Sequence, residues 1–241
     1  MIRSILLCAL LIQSASVVAQ SQFSGWFANF STYRIPDSKF SIHFDGQLRS
    51  SDNWESLQTY IVRPGVNFHA RKNIILTAGY ANVGNRALGQ MFSEHRIWEQ
   101  LIVTHNIGKF MPFQHRVRVE QRFIPVVAAM NGREPEKVES NVSHRVRYFV
   151  RGLLPFSGRA GFTKGFFGAV QNEIFINFAN TGYANSHAFD QNRAYGAIGY
   201  RFSSKFDLEA GYLHHYTMRF NGQNTFHVTN NVIQLATYVR L

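Results

Sequence analysis

The segment Arg116-Val117-Arg118-Val119-Glu120-Gln121-Arg122-Phe123 alternates ionic with apolar side chains, Gln121 being the one exception. A period of two puts successive side chains on opposite faces of a β-strand. Arg116, Arg118, Glu120 and Arg122 therefore share one face, and Val117, Val119 and Phe123 share the other. The device returns downstream, where Arg145, Arg147 and Arg151 alternate with Val146, Tyr148 and Val150, and upstream, where Glu94 and Arg96 precede Ile97. An ordinary half-exposed sheet spreads its charges widely. Here both signs gather on a few strands, which fits polar faces looking at one another across the lumen of a closed barrel with an apolar exterior.

Alternation and turn signals extend this pattern over nearly the whole chain, with strands expected at 25–35, 40–49, 57–69, 74–83, 93–106, 112–126, 142–154, 167–178, 191–202, 206–220 and 226–241. Each has about the ten residues that a tilted membrane strand needs. Single-chain bacterial barrels favour even strand numbers, so the expected fold is all-β: a closed antiparallel up-and-down transmembrane β-barrel of 10–12 strands, with twelve preferred over the eleven segments counted. Short turns are expected at 36–38, 71–73, 107–109 and 203–205, and longer loops at 84–92, 127–141, 180–190 and 221–225. Short turns face the periplasm in such barrels and long loops face outward. That leaves the first strand starting at the outer end, which a missed strand or an inward-threaded N-terminal segment would explain. Trp26, Tyr80, Tyr148, Tyr200 and Tyr212 fall on the apolar faces, as interfacial girdles do. The competing fold is a soluble β-sandwich with these aromatics in its core.

Met1 to Ala19 reads as a secretory signal peptide, with Arg3 in the n-region, Ile5 to Ile12 as the apolar run and Val17-Val18-Ala19 before the cut. The apolar run is too short to span a bilayer as a helix. The expected organisation is a cleaved leader at 1–19 followed by one barrel domain at 20–241, exported to the bacterial outer membrane. Cys8, the only cysteine, lies in the leader, so the processed chain can form no disulfide. The formal net charge is +11, with 15% aromatic and 16% charged residues. Abundant aromatic and β-branched residues exclude disorder. Arginines standing singly on alternate positions differ from the contiguous patch of a nucleic-acid footprint, so no nucleic-acid partner is expected. The expected partners are outer-membrane lipid and, during insertion, the barrel-assembly machinery.

Several ordered segments resemble a known family: Glu94-His95-Arg96-Ile97-Trp98-Glu99-Gln100, His115 through Phe123, Arg145-Val146-Arg147-Tyr148, Asn172-Glu173-Ile174-Phe175-Ile176-Asn177, and Phe189 through Tyr200. Their order is similar to that of a Gram-negative outer-membrane family catalogued as domain of unknown function 2490. The resemblance implies a small outer-membrane β-barrel and carries over no catalytic or ligand residue. Leu241 departs from the aromatic residue common at the ends of such barrels.

In the barrel arrangement Glu94, Arg96, Arg116, Arg118, Glu120, Arg122, Arg145, Arg147, Glu173 and Arg193 point inward from five successive strands. Neighbouring strands lie about 4.8 Å apart, so long ionic side chains meet across the ladder. The favoured reading is an outer-membrane barrel of unassigned role, structural or transport-related, whose charges neutralise one another and fill the lumen. A second is a narrow pore whose excess arginine selects anions. A third is an outer-membrane lipid-modifying enzyme, which requires a nucleophile beside a base; Ser143, His43, His69 and His215 have inward phases, but no motif ties a serine to a histidine. His214-His215 makes no metal pair, because adjacent strand residues point to opposite faces. No cofactor is expected.

Overall fold

Alternation is realised as eleven strands that close into one barrel: β1 (Gln20–Arg34), β2 (Phe40–Ser50), β3 (Leu57–Arg71), β4 (Ile74–Ala87), β5 (Gln90–Ile107), β6 (Met111–Ala128), β7 (Glu136–Pro155), β8 (Gly165–Ala179), β9 (Phe189–Ser203), β10 (Phe206–Phe220) and β11 (Thr225–Arg240). The computed structural model describes residues 20–108, 111–129, 134–158 and 161–241. The expected leader at 1–19 lies outside them.

Each strand pairs antiparallel with the next, and β1 closes the barrel by pairing parallel with β11, from Gln20↔Val228 to Thr32↔Arg240. This corrects the preference for twelve strands. The even-number rule assumes an antiparallel closing pair; a parallel pair joins an odd number of strands and still gives the edge N–H and C=O groups their partners. It also explains why β1 starts at the long-loop end. No hidden strand is needed.

Two expected loops are shorter than the sequence pattern indicates. β4 and β5 continue to Ala87↔Gln90 and turn on two residues, Leu88 and Gly89, both with positive φ (49° and 84°), the geometry of a type I′ hairpin. β6 and β7 pair as far as Ala128↔Glu136 past a bulge at Val126/Val127. Polar residues there diluted the alternation, but pairing tolerates them at strand ends where both faces are wet. The β2–β3 connection carries a single 3-10 turn, Asp52–Trp54, and the β8–β9 connection another, Thr181–Tyr183.

The polarity of the barrel is inverted relative to a water-soluble sandwich. Val117, Tyr148 and Ile198 face outward with 41%, 45% and 61% of their surface exposed. Arg118, Glu120 and Arg147 face inward with 0%, 0% and 5%. Tyr80 and Tyr212 are likewise exposed on the exterior, and Tyr200 packs there against Phe166 and Phe202. Trp26 is the correction: it is buried, in phase with the buried Ser24 and Ala28. Its bulk and apolarity pointed outward, while its position in the alternation pointed in, and the alternation decides.

Candidate functional site: an ionic lumen with two cavities

Facing positions on neighbouring strands bring the charges together. Glu120 of β6 stands opposite Arg145 of β7. Its Oε2 accepts from Arg145 Nε (3.1 Å) and Nη2 (2.6 Å), and its Oε1 accepts from Arg147 Nη1 (2.6 Å). Arg147 also donates to Glu173 Oε1 through Nε and Nη2 (3.0 and 2.8 Å), and Arg116 Nη2 reaches the same oxygen at 2.7 Å. On the other side, Glu94 takes Arg96 Nε (2.7 Å) and the Arg122 Nε and Nη2 fork (2.7 and 3.1 Å), and Arg96 approaches Glu120 at 3.9 Å. Charge-assisted, partly bidentate bonds of this kind are stronger than neutral ones and hold orientation as well.

Eight of the ten ladder residues named from the sequence thus form one connected ion-pair network. Arg118 and Arg193 stand apart from it. Arg118 gives Nε and Nη2 to Gln100 Oε1 (3.0 and 2.7 Å) and lies over the Trp98 ring at 4.5 Å. Arg193 faces Glu173 across the β8–β9 ladder, yet it donates to Gln191 Oε1 (3.1 and 2.7 Å) and lies over Phe175 at 4.6 Å. Inward aromatics also support the network directly, with Arg116 over Phe149 (4.3 Å) and Arg147 over Phe175 (4.4 Å). Stacking of a guanidinium on a ring adds attraction where water is scarce.

Sequence reasoning missed Asp190, which accepts Arg145 Nη1 at 2.6 Å, and the buried pair Asp45–Arg63 at 2.5 Å. Asp45 stands out of phase with the apolar Phe40, Ile42, Phe44 and Leu48 of the strand expected at 40–49, so the signal was present. It also missed Glu209, bound by Arg151, and Asp207, which takes both Arg201 and Arg240. Glu99, within a motif segment, points outward between Ile97 and Leu101, facing Ala78 and Val119 on the neighbouring strands.

The interior holds a cavity toward each end. That at the long-loop end, about 380 Å³, is lined by eight arginines and three carboxylates, Asp52, Glu94 and Asp190. That at the short-turn end, about 490 Å³, is lined by His43, His69, Arg116, Arg151 and Arg201 among others. The two share no lining residue, and the fully buried Arg118 and Glu120 line neither.

None of the serine and histidine candidates forms a nucleophile–base pair with another. Ser143 Oγ donates to the Ala179 carbonyl (3.4 Å), His215 Nε2 meets Gln191 Oε1 (2.8 Å) and Thr217 Oγ1 (2.9 Å), and His43 lies edge-on to Trp98. The structure does pair His69 Nε2 with Ser41 Oγ at 2.8 Å, an association the sequence reading did not make. Ser41 is fully buried and also accepts from Asn67 Nδ2, and Asn67 Oδ1 in turn accepts from Thr77 Oγ1. Enclosed in this chain of bonds, its hydroxyl offers no approach to an acyl carbon.

The family model described as Protein of unknown function (DUF2490) matches residues 23–226. No curated protein and no solved structure matches the chain.

Proposed function

The chain belongs to the DUF2490 family, whose description assigns no activity, and we propose on physical grounds that it is an exported outer-membrane β-barrel with a structural role and a lumen closed by its own charges. One observation carries the reading: large apolar side chains are exposed outside while arginines and glutamates are buried inside. In water that arrangement leaves a cylinder of exposed hydrocarbon, far beyond the patch size a soluble monomer tolerates. In a bilayer the same surface meets acyl chains, and the closed ladder leaves no backbone edge in lipid. Processing after Ala19, delivery by the barrel-assembly machinery and direct contact with outer-membrane lipid belong to this proposal.

The test is refolding into phosphatidylcholine vesicles, followed by electrophoresis with and without boiling and by planar-bilayer recording. The proposal expects heat-modifiable mobility and a sealed membrane. A chain that stays outside the vesicles in aqueous solution refutes the membrane assignment. A second reading, a narrow anion-biased pore, draws on the arginine excess of the long-loop cavity; it expects conductance steps with a reversal potential favouring anions.

A further inference from the structure

The barrel wall changes character where β1 and β2 part. Their backbone ladder runs only from Arg34↔Ser41 to Trp26↔Arg49. Beyond it, toward the long-loop end, the Phe23 amide donates to Asp52 Oδ1 (2.7 Å) and the Gly25 amide to Ser50 Oγ (2.8 Å). Side chains from the last residue of β2 and from the β2–β3 connection therefore replace a strand ladder along this seam. Two side-chain acceptors hold the seam where a sheet would set a continuous backbone ladder. The Trp54 indole covers Gly25 from outside, where a Cβ would collide with it. The φ of 63° at Trp54 and 52° at Asn53 lies in the left-handed region, which a bulky residue rarely adopts.

On the outer side of the seam is an apolar groove of about 570 Å³, walled by Phe27, Leu48, Trp54, Leu57, Ile233 and Leu235, within the size range of small-molecule sites. On the inner side is the arginine-rich cavity. Trp26, Arg49 and Ser50 line both. Two guanidiniums beside the seam have no carboxylate partner among the described residues. Arg49 gives Nε and Nη2 to Gln47 Oε1 (3.2 and 2.6 Å), as Arg193 does to Gln191, and both lie over the Trp26 ring, at 3.9 and 5.1 Å. In each the Nη1 edge makes no bond within the described residues, the donor arrangement that an oxyanion satisfies with charge-assisted bonds.

We propose that this seam is a binding site for a single-chain amphiphile with an oxyanion head, carboxylate or phosphate. The head bridges Arg49 and Arg193 against Trp26, and the alkyl chain lies in the outer groove. A neutral alcohol would leave the guanidinium edges unmet, and a cationic head would be repelled by Arg49 and Arg193, in a cavity that carries eight arginines against the three carboxylates Asp52, Glu94 and Asp190. The membrane reading supplies the source of such a ligand, since the groove opens on the face assigned to lipid, but the contacts themselves depend only on the barrel.

The test uses the chain refolded in neutral maltoside micelles, with heat-modifiable mobility scored separately from binding. Tryptophan quenching by 11-bromoundecanoate is expected to saturate. Arg49→Gln combined with Arg193→Gln should weaken it at least tenfold with mobility unchanged, because neither residue leaves a carboxylate behind. Leu57→Gln, in the groove and outside the charge network, should weaken it several-fold and carries the test alone if the double variant loses compact mobility. Equal quenching by 11-bromoundecyltrimethylammonium, or affinity unchanged in these variants, means nonspecific adsorption to the apolar surface and overturns the proposal. Displacement by inorganic phosphate as effective as by undecanoate means a free-anion site with no role for the chain, and overturns it too. Binding that persists in micelles while the protein fails to enter vesicles overturns the membrane reading and leaves this site standing.

Discussion

Glu120→Gln tests whether the lumen charges hold the barrel together. Glu120 is fully buried and bonds Arg145 through two nitrogens and Arg147 through one, with Arg96 at 3.9 Å. The amide keeps the volume and one acceptor oxygen. If that oxygen retains the Arg145 fork, the new NH2 faces Arg147 Nη1 at the 2.6 Å now spanned by an ion pair, donor against donor. Removing one partner of a buried pair costs about 3–5 kcal/mol. Each arginine here keeps a second carboxylate: Asp190 for Arg145, Glu173 for Arg147 and Glu94 for Arg96. The loss therefore falls at the low end, about 3 kcal/mol. In urea unfolding of vesicle-refolded protein followed by tryptophan fluorescence, this lowers the midpoint by roughly 1–3 M at unchanged slope. Combination with Arg147→Gln should be less than additive by at least about 1 kcal/mol, as groups in one network are. A single-variant loss below about 1 kcal/mol, or strict additivity, refutes the view that the network stabilises the fold.

Arg118→Met combined with Gln100→Leu should behave oppositely. Among the described residues Arg118 has no carboxylate partner and a buried Nη1 without a bond, and it donates to Gln100 Oε1, so replacing both partners by apolar side chains of similar length should cost under about 1 kcal/mol or stabilise; a loss as large as that of Glu120→Gln contradicts this. Glu99→Leu should stabilise the barrel in phosphatidylcholine vesicles by about 1 kcal/mol, since it removes an outward carboxylate from among the exposed Ile97, Leu101 and Val119 and a carboxylate on that face costs less than an arginine or lysine; no gain in the same unfolding assay would place Glu99 outside the hydrocarbon. Leu88→Asn should raise stability by about 0.5–1 kcal/mol, because Leu88 holds φ 49° in the type I′ turn and Asn tolerates that region. A lower midpoint would mean that Leu88 packs on something essential.

The fold was legible because one period governs everything. Where a strand alternates cleanly, as in Phe40–Ser50, the pattern located it to within a residue, and where polar residues occupy both faces, as near Gly84 and Lys137, it stopped short of a pairing that hydrogen bonds complete. Closure was legible only in part. The pattern counted the eleven strands that the barrel has, and the even-number rule for antiparallel closure displaced that count; the parallel meeting of β1 and β11 is what an odd number requires. Within the lumen, alternation gave the direction of each charge but not its partner. Glu173 faces Arg193 across the ladder and pairs instead with Arg116 and Arg147, because long side chains lean along the barrel axis and a diagonal partner is as reachable as the opposite one. The seam between β1 and β2 was hidden because its acceptors are Ser50, the last residue of β2, and Asp52 of the β2–β3 connection, where the period has ended.

Site-directed spin labels read the direction of the two faces directly. Cys8 is the only cysteine in the sequence, so in a Cys8→Ser background Val117→Cys, Val119→Cys and Ile198→Cys each carry a single label on the vesicle-refolded barrel. All three should collide with dissolved oxygen far more than with a water-soluble nickel chelate, while a label at Thr59→Cys, which lines the long-loop cavity, should not. Labels at Val117 and Ile198 that meet the chelate as freely as those on a loop would show that these surfaces face water, and would refute a lipid-facing exterior.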